Sequence, residues 1–296
     1  MHLTDKAHGA LLLTASAFFF ALMSVFVRLS GDLPLFQKAV FRNAVAMLAA
    51  WAAIRAKGIP IRVPRSAKFP LTVRIAAGTG AVLCNYYAIS HMALASSNAL
   101  SKMSPFFAIL FAAVFLHEKV GRGELVCILI ALSGGLLLLA PDLRNMDTSA
   151  LIGLTGGILT GMTHTALRAL RKDSQTDGNV IIFLFCLISL IFMAVPAIFI
   201  WKPMTASQTA FLLLAGSACS AAQFTLTAAY RYAAPNEISI CDYSQVIFSA
   251  GFGFLLFSQI PGTIEIAAYV LIALASAILF VLYRPRSGKR TGRSAG

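Results

Sequence analysis

Long apolar runs recur along almost the whole chain and are separated by short connections. Each run is close to the roughly 20 residues that a helix needs to cross the hydrocarbon core of a bilayer. Of the 296 residues, 58% are hydrophobic and only 12% are charged, whereas soluble domains carry about 25% charged residues. The pattern therefore predicts an all-α integral membrane protein, with no stretch polar enough for a sizeable soluble domain.

The runs predict about ten transmembrane helices, placed by their apolar content and by the turn residues between them. Proline marks several joints: Pro34 opens the second span, Pro141 closes the fifth and Pro261 follows the ninth. The first run is too long for a signal peptide and ends without a clear cleavage site, so it is interpreted as a span. The predicted spans are residues 8–29, 34–54, 71–91, 94–116, 122–140, 149–170, 179–200, 207–230, 236–258 and 263–283.

Lysine and arginine are distributed unequally between the two sides that these spans define. With the N-terminus inside, 18 of the 24 fall on the inner side, Arg74 among them, and three fall on the outer side. Because cytoplasmic connections are enriched in these residues, we predict that both termini are cytoplasmic. This topology accounts for the formal net charge of +13 without a nucleic-acid partner. The basic tail, residues 286–296, is predicted to lie against anionic headgroups.

Two stretches of the chain, 91–116 and 231–256, follow the same order of residue types. In each, a short turn with small residues leads into a polar first half of a helix and an apolar second half, and Ser104 aligns with Ser244. Because five spans are an odd number, homologous halves would be related by a two-fold axis in the membrane plane. We therefore predict two inverted five-helix repeats, residues 1–143 and 147–285.

The same alignment places Lys102 opposite Asp242, and both lie inside predicted spans. An intramembrane charge costs about 2.5–3.5 kcal/mol on insertion scales, so it usually faces a partner or a cavity. Lys102 lies about 12 Å from the end of its span, which is too deep for easy contact with water. Two interpretations remain open: a buried ion pair that holds two spans together, or charges that face the solute.

Pro105 predicts a break in the fourth span beside Lys102. Proline has no N–H, so the carbonyl of Ser101 is left free for water, a ligand or a neighbouring hydroxyl. Asn98, Lys102 and Phe106 share one face of this span. A locally polar, broken helix near the membrane centre is the form that solute sites take in transporters.

Other spans contribute further candidate solute-binding residues. A lone histidine is more often a packing residue, but its titration range makes His164, together with Asp242, a candidate for proton coupling. No second histidine or carboxylate stands at metal-ligand spacing from His164, so neither a metal nor another cofactor is predicted. Glu118 and Lys119 are interpreted as an interfacial salt bridge or as the latch of a gate, and Arg168 as extending to the membrane surface. The further candidates are Asn85, Tyr86 and Tyr87 in the third span, His164 in the sixth, Gln223 in the eighth, and Tyr243 and Gln245 in the ninth.

Residues 33–43, 85–119 and 232–261 resemble the drug/metabolite transporter superfamily, in its bacterial two-repeat EamA branch. The resemblance implies two inverted five-helix repeats around a central cavity, alternating access to one central site, and a multi-pass position in the bacterial cytoplasmic (inner) membrane. The second span is peripheral in that fold, so Arg42 is interpreted as structural. The chain departs from the family at Gln259, where many members have a glutamate, and no role is given to that position.

These features predict a secondary active transporter of small organic metabolites rather than an enzyme. The Gly-rich stretch 133–141 lacks the lysine of a phosphate-binding loop, so a proton or the solute gradient is the expected driving force. A lysine and an aspartate in one cavity suit an amino-acid-like solute, and the tyrosines suit an aromatic one. Family habit favours export, and import of a vitamin, nucleobase or other metabolite is the alternative. An intramembrane enzyme and a non-transporting scaffold have less support, and monomer and homodimer both stay open.

Overall fold

The computed structural model describes residues 5–144, 148–173, 176–232 and 238–282, and these residues are almost entirely helical. Within them, nine helices are long and apolar enough to cross a membrane. The prediction of an all-α integral membrane protein is therefore confirmed. The predicted basic tail, 286–296, lies outside the described residues.

The helices follow the predicted spans to within a few residues. The fourth span consists of two helices, α4 and α5, and the ninth consists of a 3-10 segment, Ser239–Tyr243, followed by α10. The helices are α1 (Asp5–Leu29), α2 (Leu35–Lys57), α3 (Lys68–His91), α4 (Leu94–Ser101), α5 (Ser104–Phe115), α6 (Arg122–Arg144), α7 (Ser149–Asp173), α8 (Gly178–Phe199), α9 (Ala206–Tyr232), α10 (Ser244–Phe257) and α11 (Thr263–Leu282).

Helix α3 is long enough to span a bilayer but is not among the nine apolar spans. Its sequence includes Lys68, Arg74, Asn85 and His91, which lower its mean hydropathy. It packs most extensively against α7 and also contacts α8, so other helices replace much of the lipid around it. A helix surrounded by protein tolerates polar residues that a lipid-facing helix does not.

The fifth span ends at Ala140, just before Pro141 as predicted, although its helix α6 continues to Arg144. A proline removes one main-chain hydrogen bond, to the carbonyl four residues earlier. Near the end of a helix this loss is confined to the last turn. The apolar part of α6 nevertheless ends at Ala140.

The helices alternate in direction, so that two ends of the bundle are defined. The basic end contains the α2–α3 connection with Arg55, Lys57, Arg62, Arg65 and Lys68. The far end contains the α1–α2, α3–α4 and α10–α11 connections. These two names are used below, and the predicted cytoplasmic side is the basic end.

The contacts between helices of the two halves follow the pattern that inverted repeats require. Helix α1 packs most extensively against α9, and α3 against α7, while α2 packs against α8 and α6 against α11. In an inverted repeat the first span corresponds to the sixth and the third to the eighth. The α1–α9 contact is then equivalent to the α3–α7 contact, and the α2–α8 and α6–α11 contacts each join two corresponding spans. This supports the division into 1–143 and 147–285, which stays a prediction.

Glycine allows α7 to approach the fourth span closely. A Cβ atom added at Gly157 would lie 2.6 Å from the Leu100 carbonyl oxygen, and one at Gly161 would lie 2.6 Å from Cβ of Phe107. Small residues at a spacing of four let membrane helices pack backbone against backbone. The contact fixes α7 directly beside the break between α4 and α5.

Candidate solute-binding site

The fourth span is broken at Lys102. Helix α4 ends at Ser101, Lys102 and Met103 form a turn, and α5 begins at Ser104 with Pro105 in its first turn. Proline is well tolerated there because the first helical N–H groups have no partner within the helix. The predicted polar break is thus a turn between two helices, in which Lys102 and Met103 keep right-handed helical backbone angles.

The ninth span is interrupted at the matching position. Met103, which precedes α5, has φ −76° and ψ −12°, and Tyr243, which precedes α10, has φ −72° and ψ −14°. Both following helices begin at the aligned serines, Ser104 and Ser244. The two breaks therefore share sequence register and local backbone conformation.

Lys102 and Asp242 join these two breaks. Lys102 Nζ lies 2.5 Å from Asp242 Oδ2, and the two side chains are 11% and 28% exposed. The Tyr243 hydroxyl donates a hydrogen bond of 3.1 Å to the Lys102 carbonyl oxygen. Of the two interpretations of these charges, the ion pair is the arrangement in this conformation, and the partial exposure of Asp242 leaves it accessible to water.

Asn98 and Gln245 meet in a buried polar cluster on the far-end side of the breaks. Gln245 Nε2 donates to Asn98 Oδ1 at 2.6 Å, and Asn98 Nδ2 lies 3.0 Å from Ser249 Oγ and 3.3 Å from Ser24 Oγ. All four residues are at most 5% exposed. Because these groups satisfy one another, Asn98 and Gln245 connect α1, α4 and α10 rather than facing an open site in this conformation.

The three polar residues of the third span separate into different surroundings. Asn85 Oδ1 accepts a hydrogen bond of 2.8 Å from the Ser101 hydroxyl, so Asn85 adjoins the break. The Tyr86 side chain is buried, and its hydroxyl has no hydrogen-bond partner among the described residues. The Tyr87 ring stacks on the His91 ring at the far end, with 4.0 Å between centroids. Asn85 therefore belongs to the region of the ion pair, and Tyr87 does not.

Phe106 packs in the core. It is 1% exposed and lies in an apolar cluster with Met103 and Phe107. The face that Phe106 was predicted to share with Asn98 and Lys102 therefore does not expose it to a solute in this conformation. In this conformation its ring faces neighbouring side chains.

His164 is a polar side chain of α7 in the neighbourhood of the ion pair. Its side chain is exposed, although it lies well inside α7, far from either end of that helix. It interacts electrostatically with Arg74, Asp242 and Lys102, which belong to three other elements. On α9, Gln223 is partly exposed, one turn before Thr227.

Arg74 is an interior residue that the sequence reasoning missed. It was counted with the α2–α3 connection, but it lies six residues into α3, and its guanidinium carbon is 4.3 Å from the centre of the Phe185 ring. Lys68 and Arg74, at the start of this span, are compatible either with anchoring at the membrane surface or with a charge in the interior. Only the packing of Arg74 on Phe185 of α8 distinguishes the two possibilities.

The two ends of the bundle carry matched arginines. Arg28 Nη1 donates to the Met92 carbonyl oxygen at 2.5 Å at the far end. At the basic end, Arg168, which aligns with Arg28 in the second half of the chain, lies 3.0 Å from Glu118. The predicted salt bridge between Glu118 and Lys119 is therefore wrong in its partner, because the chain turns at His117, with φ 53°, and directs Glu118 towards α7.

Gln259 has a structural role that the sequence did not show. Its Oε1 atom accepts a hydrogen bond of 3.0 Å from the Leu94 main-chain N–H. The first N–H groups of a helix lack partners within the helix, and Leu94 is the first residue of α4. The side chain thus caps the polar half of the fourth span at the far end.

Comparison with known proteins identifies the family that this chain resembles. Residues 7–140 match the EamA-like transporter family. The pseudopaline exporter CntI of Pseudomonas aeruginosa is 30% identical over 92% of this chain and 95% of that protein. A riboflavin transporter of Brucella anthropi is 26% identical over 79% of this chain and 82% of that protein.

More distant proteins share the architecture. Human solute carrier family 35 member G1 is 24% identical over 83% of this chain and 71% of that protein. A solved crystal structure covers 95% of this chain and 99% of its own, with a TM-score of 0.66 and 16% sequence identity, which shows the fold alone. With its apolar helices and these relatives, the chain is a multi-pass membrane transporter and belongs to the EamA-like transporter family.

Proposed function

We propose that the protein is a secondary active transporter that exports a small, amino-acid-like metabolite by alternating access across the bacterial cytoplasmic membrane. The observation that carries the proposal is the Lys102–Asp242 pair, which joins the breaks of two matched spans. Export is supported by the 30% identical relative, which is an exporter. Lys and Arg at the basic end support cytoplasmic termini.

The ion pair provides a mechanism for coupling occupancy to conformation. A zwitterionic solute presents a carboxylate to Lys102 and an ammonium group to Asp242, and so replaces each partner of the pair. The two breaks are then no longer joined directly, and the two halves are free to rearrange around the solute. A solute changes a conformational equilibrium only through unequal affinity for the two states, and exchange of these contacts supplies that difference.

Proton coupling is a second element of the proposal. Asp242 is partly exposed, and His164 interacts electrostatically with both members of the pair. Protonation of Asp242 removes its attraction for Lys102. A proton and a solute therefore each compete with the Lys102–Asp242 contact. Asp242 and His164 are therefore the proposed coupling residues.

The proposal is tested by comparing metabolites in the medium of cells that overproduce wild-type protein, Lys102→Met or Lys202→Met. Lys202 is a matched control because it also pairs with an aspartate, Asp32, but at the exposed far end. We expect the wild type and Lys202→Met to release the same amino-acid-like metabolite and Lys102→Met to release none, at equal protein levels in the membrane. Equal release by all three variants would contradict the role of Lys102.

Import of a vitamin-like aromatic solute is the second proposed function. The 26% identical riboflavin transporter favours it. Depletion of a metabolite from the medium by wild type but not by Lys102→Met would support import instead of export. The same cultures distinguish the two directions.

A further inference from the structure

The start of the fourth span is held by two side chains from elsewhere in the bundle. The Met92 carbonyl oxygen accepts a hydrogen bond of 2.5 Å from Arg28 Nη1, and the Leu94 N–H donates one of 3.0 Å to Gln259 Oε1. The Arg28 guanidinium carbon also lies 5.1 Å from the centre of the Phe257 ring, two residues before Gln259. Arg28 and Gln259, named the far-end clamp below, therefore tie α1 and the end of α10 to the main chain of the α3–α4 turn.

The far-end clamp covers a segment of the fourth span that is buried on every side. All seven residues from Leu94 to Leu100 are at most 5% exposed. Helix α10 lies close to this segment, because a Cβ atom added at Gly253 would be 3.0 Å from Gln259 Oε1 and 3.8 Å from Leu94 Cβ. A solute that left Lys102 towards the far end would therefore have to separate α4 from its neighbours.

The far-end clamp lies well away from the ion pair. Leu94 precedes Lys102 by eight residues, which is about 12 Å along a helix. The buried amide cluster, in which Gln245 donates to Asn98, lies between them. The clamp residues are therefore placed to control access from the far end rather than to bind a solute at the ion pair.

Gln259 is the counterpart of Glu118 in the inverted half. Each follows a residue with positive φ, 53° before Glu118 and 52° before Gln259. The N–H of each also bonds the carbonyl oxygen of the residue six positions earlier. Since Arg28 aligns with Arg168, the salt bridge at the basic end and the far-end clamp occupy equivalent positions.

The side chains at these equivalent positions bind different groups. At the basic end, Glu118 pairs with the Arg168 side chain, which is 61% exposed. At the far end, the clamp bonds main-chain groups of Met92 and Leu94, which are 9% and 0% exposed. Water and salt screen an exposed ion pair, whereas a hydrogen bond in a buried, low-dielectric place keeps its strength. The far-end clamp is therefore the stronger of the two contacts.

We propose that Arg28 and Gln259 are positioning residues that keep the far end of the solute path closed, and that release of the solute there requires both of their hydrogen bonds to the α3–α4 turn to break. Loss of either bond destabilises the closed state without touching Lys102 or Asp242, so the equilibrium moves towards opening at the far end. In a transporter built from two repeats, opening of one end accompanies closing of the other. This inference rests on the proposed function and specifies how its path is closed.

The test measures how fast a maleimide reacts with single cysteines on the two sides of the ion pair, in the purified full-length protein in detergent. Ser249→Cys, with the five native cysteines replaced by alanine, places a thiol in the amide cluster on the far-end side, where Ser249 is 0% exposed. A second protein keeps only the native Cys241, which is partly exposed and directly precedes Asp242 on the basic-end side. The two thiols report opening at opposite ends.

Arg28→Met and Gln259→Leu should each raise the reaction rate at position 249 by about tenfold or more. Each substitution removes a hydrogen bond that involves a charged or buried group, and a loss of this size changes an equilibrium by that factor. The rate at Cys241 should not rise, because the basic end does not open further. Gln259→Glu keeps an acceptor for the Leu94 N–H and should react like the parent protein at both positions.

Lys202→Met and Gln208→Leu are the matched controls. Both residues lie at the far end, but Lys202 pairs with Asp32 and Gln208 Nε2 donates to the Ser30 carbonyl oxygen at 3.2 Å, so these side chains bond the α1–α2 connection instead of the α3–α4 turn. Both variants should react like the parent protein. Equal rates in all variants, an equal increase in the controls, or a parallel increase at Cys241, which indicates general loosening, would overturn the role of the clamp.

Metabolite release by the same variants distinguishes failure of the clamp from failure of transport. If Lys102→Met abolishes release and Arg28→Met and Gln259→Leu react with maleimide like the parent protein, the transporter proposal stands and the clamp is wrong. If the two clamp variants open the far end and Lys102→Met releases metabolite normally, the clamp stands and the proposed role of the ion pair is wrong.

Discussion

Lys102 and Asp242 are 140 residues apart in the chain, and their charged atoms are 2.5 Å apart in the structure. Each lies at the end of a broken helix, just before a helix that begins at an aligned serine. The contact therefore joins equivalent points of two halves that run in opposite directions. A bond at this place joins equivalent points of the two halves, and the proposed transport cycle exchanges it for contacts with a solute.

The pair should show energetic coupling. Lys102→Met and Asp242→Asn each leave a partly buried charge without its partner, whereas the double substitution leaves neither. We expect the double variant to be more stable than the sum of the single effects predicts, by about 0.5–3 kcal/mol. Unfolding of the four proteins in detergent measures this coupling, and additive effects would show that the two charges do not stabilise each other. The exposed Lys202–Asp32 pair should show less coupling.

Close packing of α7 against α4 should make Gly157 intolerant of a side chain. Gly157→Ala places a methyl group 2.6 Å from the Leu100 carbonyl oxygen, and overpacking of this kind costs about 1–3 kcal/mol. Gly251→Ala is the matched control, because nothing lies within 4 Å of a Cβ at that helical position. We expect a lower melting temperature for the first variant and an unchanged or slightly higher one for the second. The opposite order would contradict the close approach of α7.

The buried amide cluster should be sensitive to the loss of Asn98. Asn98→Leu keeps the volume but leaves the Gln245 amide and the Ser249 hydroxyl without their partner, at a cost of about 1–3 kcal/mol. Thr155→Val serves as the control, since the exposed Thr155 hydroxyl bonds only the Leu151 carbonyl of its own helix. Melting temperatures of both variants test the prediction. A stable Asn98→Leu protein would show that water replaces the amide.

The salt bridge at the basic end should contribute little to stability. Arg168 is 61% exposed and Glu118 is 32% exposed, and exposed ion pairs contribute about 0–1 kcal/mol. Glu118→Gln should therefore change the melting temperature only slightly, and raising the salt concentration should reduce even that difference. A large loss of stability would indicate that Glu118 has a further partner.

The excess of lysine and arginine at the basic end predicts the orientation in the membrane. A green fluorescent protein fused after Gly296 should be fluorescent, and alkaline phosphatase fused there should be inactive, because fluorescent protein folds in the cytoplasm and the phosphatase requires an oxidising compartment. The reverse pattern would place the C-terminus outside. A fusion within the α1–α2 connection, near Asp32, should give the opposite result and serves as the control.

Local sequence was sufficient to predict the helices, because membrane-spanning helices satisfy their own main-chain hydrogen bonds and therefore depend on length and hydropathy. The break at Lys102 was predictable for the same reason, since Pro105 lacks an N–H wherever it stands. The fifth span ends where it was predicted, but its helix continues past Ala140 to Arg144. There, the cost of Pro141 depends on its distance from the end of the helix, and the sequence does not give that distance.

The placement of side chains depended on packing between helices. Tyr86 and Tyr87 are neighbours in sequence, yet Tyr86 is buried in an apolar cluster with Val82 and Ile89, and Tyr87 stacks on His91. Helical rotation of about 100° per residue sends adjacent side chains to different neighbours, and a sequence alone does not say which helix lies there. Phe106 likewise packs in the apolar core with Met103 and Phe107, which its position in the sequence did not show.

The sequence by itself determined the class of protein, the spans, the broken fourth helix and the alignment of Lys102 with Asp242. These follow from the hydropathy of single segments and from a constant offset between the two halves of the chain. The tertiary structure alone decided that the two charges touch, that Glu118 pairs with Arg168, and that the Arg74 guanidinium packs on the Phe185 ring. The energy of a charge in a membrane depends on which helices surround it, and that arrangement exists only in the folded bundle.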